Sequence, residues 1–578
     1  MDQTAISSPA RPGGEFFATP STPLQRRYEA LRAYLYEGRP APEAAARFGY
    51  STASLLSAAR DFRAGPRDFF RIPRPGPRSA PAKEAARARV VELRRQGYSA
   101  YEIAAALAAT DTPLNRTGVA EVLAEEGLPR LWPRPYAARG GPRRERLRRA
   151  EVIDFATLPP HSETRVAGLL LAIPELVELD LPALVAAAGY PGTSVIPALS
   201  SIASLLALKL VAMRRVSHVD DIAVDVGAGL FAGLTALPKA TALSTYSYRL
   251  DHRQQRRLLQ ALGQAMTASG LAAGEEFDLD FHAVMHWGED VALEKHYVPK
   301  RSQRTRSVLT FFAQDGATHN LVYANADLYK ASQAGEVVAF CDHWRSVTGH
   351  DPGLLVFDSK LTTQEMLGRL DARGVRFLTL RMRSPSLAAR IAALPASAWR
   401  TVALDRDGDY RKPQVAEDSD VRLSDYPGTV RQLVIRGLGR EAPTVLITND
   451  RAATTKTLIE RYARRMTIEQ RLAEAIRSFH IDALASAVPL NVDLDVVLSV
   501  LASAVCGSLR RRLRGYETAT PDTLQRRFLS TGGLILNRRD EIVVQLARRT
   551  YSPVLRAADL PTVAVPWWEG RRLRFEFA

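Results

Sequence analysis

The residues of this chain best suited to chemistry are carboxylates standing where a carboxylate is costly. Between Thr457 and Arg477, Leu458, Tyr462, Arg465, Glu469, Leu472 and Ile476 recur at threes and fours, so they share one side of an expected helix. That stripe is apolar except for Arg465 and Glu469. A carboxylate on the buried side of a helix needs an ionic partner or a metal. Arg465, one turn away, can supply the partner. The metal reading gains weight if other acids reach the same place, and the sequence offers them. Asp278 and Asp280 alternate with Phe277, Leu279 and Phe281, the pattern of a strand with one polar face. Gly353-Leu-Leu-Val-Phe-Asp358 reads as a short buried strand ending on an acid. Three such carboxylates suit two hard cations such as Mg²⁺, with Mn²⁺ able to stand in, because these ions take oxygen ligands. Two metals in one site can activate an attacking oxygen and stabilise a leaving one in phosphoryl transfer.

The elements that must position these acids follow in a definite order. The strand over 277–283 is followed by strands over 307–312 and 320–324, with Asp315-Gly316 as a hairpin signal between the last two. A helix over 331–347 precedes the strand that ends on Asp358. Thr362 with Glu365 forms a capping box for the next helix, Gly374 can close it, and a strand over 375–380 completes the unit. Three antiparallel strands, a helix and a strand–helix–strand unit place Asp358 at a carboxyl edge, where ligand sites in such sheets gather. Residues 384–450 alternate in β fashion around 402–404, 431–435 and 445–448. They lead into the helix that delivers Glu469.

The totals fit a large, basic, multidomain protein. The 578 residues suggest roughly three or four domains. Lys and Arg number 78 against 62 Asp and Glu, a surplus that favours a polyanionic partner. Two cysteines, Cys341 and Cys506, exclude a disulfide scaffold and a cysteine-rich zinc module. The first residues lack a secretory pattern, and the apolar run 194–213 carries Pro197, four serines and Lys209, which favours a buried helix over a membrane span. The expected location is cytoplasmic, with no membrane partner. After a disordered lead-in at 1–24, two helical units at 25–63 and 85–135 share a plan, joined by a linker at 64–84. In the first, Ser51 can cap a helix. In the second, Ser99 with Glu102 and then Asn115 open helices. This is a tandem helix-turn-helix layout, with Ser54 and Ser57 in one last helix and Arg116 and Thr117 in the other facing base edges. A basic linker at 136–159, a helical domain at 160–270, a catalytic domain at 271–515 and a segment at 516–578 complete the expected division. Asp220, Asp221 and Asp225 read as caps and turns. Trp567-Trp568 reads either as a nucleic-acid contact or as a pair that docks the tail.

With these residues in view, the sequence resembles the DDE transposases of bacterial insertion sequences, which have a ribonuclease-H-like core. The likeness runs through Asp280-Phe-His282, Leu355-Val-Phe-Asp358-Ser359 and Tyr462-x2-Arg465-x3-Glu469, the last being the family's spacing around its third acid. It extends to Val445-Leu-Ile-Thr-Asn-Asp450 and to Val565-Pro-Trp-Trp-Glu-Gly-Arg-Arg-Leu573, and covers about 160–578. The family pattern often ends in a lysine seven residues after the Glu. Here Ile476 holds that place and Arg477 is next to it, a basic side chain offered to DNA. The resemblance implies Asp280, Asp358 and Glu469 as the catalytic, metal-holding triad, with Asp278 a rival for the first position. It implies a β-rich insertion at 384–450 and two Mg²⁺ ions per site, while Tyr462 and Arg465 read either as packing residues, a core aromatic and an ion pair, or as contacts with the phosphate backbone. It also implies double-stranded DNA, as terminal repeats and target, bound by a homodimer at the bacterial nucleoid. Lys239 and the arginines would neutralise phosphate, so binding should weaken steeply with salt. The expected activity is strand cleavage at transposon ends followed by strand transfer. The alternatives are a nuclease of the same fold that cuts without joining, and a domesticated, sequence-specific DNA-binding regulator.

Overall fold

The computed structural model describes residues 17, 20, 22–65, 81–128, 131, 149–286, 293–298, 303–405, 412–438, 442–483 and 488–577. The chain is mixed α and β and divides into two units, 1–144 and 145–578. Most of the expected lead-in at 1–24, the linker core at 66–80 and the basic cluster at 137–148 lie outside the described residues.

The first unit holds two three-helix clusters. Helices α1 (Pro23–Leu35), α2 (Ala41–Arg47) and α3 (Thr52–Ala64) close on Ala30, Leu31, Phe48, Leu55 and Ala59. Helices α4 (Pro81–Arg95), α5 (Ala100–Leu107) and α6 (Arg116–Glu125) close on Val90, Leu93, Ile103, Leu107, Val119 and Val122. The caps stand where the sequence puts them. Ser51 Oγ accepts from the Ser54 amide at 3.1 Å, Ser99 and Glu102 form a reciprocal capping box, and Asn115 Oδ1 accepts from the Gly118 amide at 2.8 Å.

In the second unit, β1 (His161–Thr164) opens a helical region. There α7 (Ile173–Glu178), α8 (Leu181–Ala188), α9 (Ala198–Leu210), α10 (Val226–Ala232), α11 (Ala240–Ser244) and α12 (His252–Ala268) pack into the largest core. The apolar run around α9 is buried inside the unit, and Asp225 serves as the N-cap of α10. Strands β2 (Glu276–Met285), β3 (Lys295–Val298), β4 (Gln303–Asp315) and β5 (Leu321–Asn325) follow, then α13 (Glu336–Thr348), β6 (Leu354–Phe357), α14 (Gln364–Ala372) and β7 (Arg376–Leu380). The centre of the sheet runs β5, β4, β2, β6, β7. The first three are antiparallel, and β2, β6 and β7 are parallel, with α13 and α14 supplying the crossovers.

Residues 384–450 continue this sheet. After α15 (Pro385–Ala392), strands β8 (Arg400–Thr401), β9 (Gln414–Val421), β10 (Val430–Arg436) and β11 (Thr444–Thr448) extend it, with β11 antiparallel to β7 through Leu446 and Leu380. The expected strand at 402–404 is instead the chain leaving β8, and β9 was not expected. In its acidic run Glu417-Asp418-Ser419-Asp420, Glu417 is held in place by Arg431 and Thr455.

Three local expectations are corrected. The stripe at 457–477 lies on two helices, α16 (Thr455–Arg464) and α17 (Met466–Ser478), with Arg465 at the joint. Three-residue hydrogen bonds tighten that joint, from the Arg465 amide to the Tyr462 carbonyl and from the Ile468 amide to the Arg465 carbonyl. The cap of α14 is Thr363, because the Thr362 hydroxyl donates instead to the Ala334 carbonyl at 2.7 Å. Asp315-Gly316 begins a longer turn. Asp315 Oδ1 accepts from the Ala317 and Thr318 amides, and His319 takes a left-handed φ of 58°.

The chain then crosses the unit in α18 (Pro489–Arg512), which is long and apolar enough to span a membrane, but 94% of its most apolar window is buried within the fold. After α19 (Pro521–Leu524) come β12 (Gly533–Asn537), β13 (Glu541–Leu546), α20 (Ser552–Ala557), β14 (Val563–Ala564) and β15 (Arg572–Phe577). These strands form a second sheet with β1, in the order β1, β12, β13, β15, β14.

Candidate active site

Strand β2 separates two kinds of side chain. Phe277 packs its ring against Trp344 and Phe340 of α13, at centroid distances of 4.5 and 5.1 Å, which fixes that face to the core. The alternate residues Asp278, Asp280 and His282 therefore belong to the other face. Helix α17 packs on this strand.

Asp278 is 1% exposed and lies 2.8 Å from the Arg461 guanidinium, whose Nε meets Glu276 at 2.6 Å. Burial pushes the Asp278 carboxyl above the usual range, and Arg461 works against that. This acid is the counter-ion of a buried arginine.

Asp280 stands one pleat further on. Its Oδ1 accepts from the Phe281 amide at 2.9 Å, and Nη2 of Arg465 is 3.5 Å away. The side chain is 23% exposed. Burial pushes its pKa up to about 6. Arg465 and the Phe281 amide oppose this, while the charges of Glu469 and Asp358 add to it. Two further carboxylates are therefore near enough to act on Asp280. Asp358 follows the last residue of β6. The parallel register ends on the pair Asp278 and Val356, and Asp280 and Asp358 each follow two residues later on their own chains. The Asp358 Oδ1 accepts from the Ser359 amide at 2.7 Å. Glu469, in the first turn of α17, accepts from Arg465 Nη1 at 3.3 Å.

Arg465 sits among the three acids. Its side chain is 5% exposed, and although burial opposes its charge, Asp280, Tyr462, Glu469 and Asp358 outweigh that effect. Its Nε is buried without a hydrogen-bond partner. Glu469 itself is 57% exposed, contrary to its expected place on a buried stripe, although Leu472 and Ile476 of the same helix are buried. The ion pair between Arg465 and Glu469 read from the sequence is present. Among the described residues, no three His, Cys, Asp or Glu side chains are close enough as they stand to close on one metal ion. The donor set is nonetheless all carboxylate oxygen, the chemistry a hard cation takes.

The remaining expected site residues are dispersed. Tyr462 is half-buried against the small core of Leu354, Val356, Leu378, Leu458 and Ile459. Arg477 is exposed in the last turn of α17, and Lys239 is exposed at the start of α11 in the helical region. In the first unit, Ser54 is exposed with its hydroxyl 2.8 Å from that of Ser51, and Ser57 accepts from Arg60 at 3.3 Å. Arg116 lies over the Tyr101 ring at 4.1 Å, and Thr117 is exposed beside it. The tail tryptophans dock. Trp568 is fully buried and its Nε1 donates to the Leu230 carbonyl at 2.8 Å, while Trp567 donates to Phe231 at 3.2 Å.

Sequence reasoning missed Arg461 and the pair His282–Asp482, whose Nε2 and Oδ1 are 2.8 Å apart on the same strand face as Asp280. The signal for Arg461 was available, since it lies one turn before Arg465 and Asp278 needed a partner. Both cysteines are buried, and burial pushes each thiol up to about 12, so neither is an activated nucleophile. No protein-family model matches this chain, and no curated protein matches it.

Proposed function

We propose that this chain is a DNA transposase of the DDE type, cutting strands at the ends of a mobile element and joining them to target DNA. The observation that carries the reading is the meeting of Asp280, Asp358 and Glu469 around Arg465, from two adjacent strands and a helix far apart in sequence. Support also comes from the order of the central strands, three antiparallel and then two parallel, which suits a ribonuclease-H-like core with residues 384–450 as a β-rich insertion. The two capped three-helix clusters suit tandem helix-turn-helix readers of terminal repeats, with α3 and α6 in the major groove. Two copies on double-stranded DNA would bring both ends together.

In this mechanism Asp280, Asp358 and Glu469 would hold divalent cations, Mg²⁺ or Mn²⁺, which would supply activation of the attacking oxygen and neutralisation of the leaving one. Asp280 and Asp358 are fixed by neighbouring strands and by the amides of Phe281 and Ser359, so they are oriented before substrate arrives. Asp278 is the counter-ion of Arg461, which supports Asp280 over Asp278 as the first acid. Arg465 at the joint after α16, with Tyr462 one turn before it, would contact the phosphate backbone beside the acids. Hydrolysis frees a 3′-hydroxyl and that hydroxyl attacks target DNA, both by in-line displacement, so no covalent protein–DNA intermediate is needed. The test is Asp358→Asn in the full chain. Binding to a duplex carrying the element's ends should be unchanged and Mg²⁺-dependent nicking lost, and nicking that persists removes Asp358 from the mechanism.

A further inference from the structure

The acid cluster already contains a cation, and it belongs to the protein. Arg465 places Nη2 3.5 Å from Asp280 and Nη1 3.3 Å from Glu469, with Asp358 the third carboxylate acting on it. The side chain is 95% buried by its 5% exposure, and Nε has no hydrogen-bond partner there. Neither contact is short, and the two acids are held by one guanidinium through different nitrogens. This arrangement neutralises the acids only partly. It also occupies the space between them.

Charges of like sign cannot share that space at low cost, because their repulsion is strong where water is scarce. A divalent cation entering among Asp280, Asp358 and Glu469 must move the guanidinium away. The displaced group then requires an anion, since a buried arginine left unpaired is costly. Helix α16 ends at Arg464, so Arg465 sits at a joint between two helices. A small change of its own torsions can turn it without unwinding either helix. The anion chemically suited to a planar guanidinium is a phosphate.

We infer that Arg465 is a displaceable internal counter-ion that keeps divalent cations out of the acid cluster until a DNA phosphate takes the guanidinium, so that cation uptake and DNA docking are coupled. This rests on the reading of the acids as a cation site. It adds a reason why free protein would not cut DNA indiscriminately. The coupling is reciprocal, so cations must also tighten DNA binding by the same factor.

The test uses full-length protein and Mn²⁺ followed by electron paramagnetic resonance, with a short DNA duplex present or absent. Free wild-type protein should bind Mn²⁺ weakly, and Arg465→Gln should bind it at least about tenfold more tightly. The duplex should tighten Mn²⁺ binding by wild type and leave that of Arg465→Gln unchanged. Arg465→Lys keeps the charge and controls for loss of fold, so it should stay close to wild type. Equal Mn²⁺ affinity of wild type and Arg465→Gln without DNA, both abolished by adding Asp358→Asn, would overturn the counter-ion role alone. Mn²⁺ binding that survives Asp358→Asn would overturn the cation site itself, and with it the proposed function.

Discussion

Asp280→Asn should make the protein more stable at neutral pH. The folded carboxyl is raised from 3.8 to about 6, chiefly by burial, with Glu469 and Asp358 adding their charges. An acid raised in the folded state destabilises that state once ionised. Its contribution is most favourable below pH 3.8, is lost as pH rises from there to about 6, and stays lost above. A shift of about two units at about 1.4 kcal/mol each corresponds to about 3 kcal/mol of destabilisation at pH 7.5. Asparagine keeps the shape and cannot ionise, so it avoids that cost at high pH and gains nothing at low pH. In a unit of this size, about 3 kcal/mol moves the melting midpoint by about 3 °C. The assay is thermal unfolding of wild type and variant in chelator, between pH 5 and pH 8. The variant's advantage should be full at pH 7.5 and shrink towards pH 5. A variant that melts no higher than wild type at pH 7.5 would refute the electrostatic account of the site.

Two further outcomes follow from buried polar contacts. Arg461→Met leaves Asp278 charged and unpaired and should cost about 3–5 kcal/mol, most of it recovered in the double variant with Asp278→Asn. Denaturant unfolding of the four proteins measures this, and a double variant as weak as the worse single one would mean the two residues do not act as a pair. Trp568→Ala removes a fully buried ring and its bond to Leu230 and should cost about 3–5 kcal/mol, whereas a loss below about 1 kcal/mol would show that the tail is not docked as described.

What the sequence disclosed was local, and what it concealed was long-range. Ser51, Ser99 and Asn115 cap helices through groups three residues away, so spacing alone finds them. The alternation of Phe277, Leu279 and Phe281 with Asp278 and Asp280 is likewise local, and β2 stands there. The neighbourhood of Asp280 and Asp358 depends on a parallel register across a helical crossover, which no short window contains. Strand β9 was hidden because Glu417 is satisfied by Arg431 from another strand and Thr455 from a helix. The break at Arg465 escaped for a different reason. A periodic stripe assumes one continuous helix, whereas hydrogen bonds shortened by one residue at Arg465 divide it into two.

The second sheet sets an order of events during synthesis. His161 pairs with Leu536, and the Trp568 ring meets that of Phe155 at 6.2 Å. The first unit makes its own small cores and can form soon after it leaves the ribosome. The second must wait, with β1 unpaired, until almost all of the chain has emerged. A translation product stopped before β12 would carry the complete first unit and an unfinished second one.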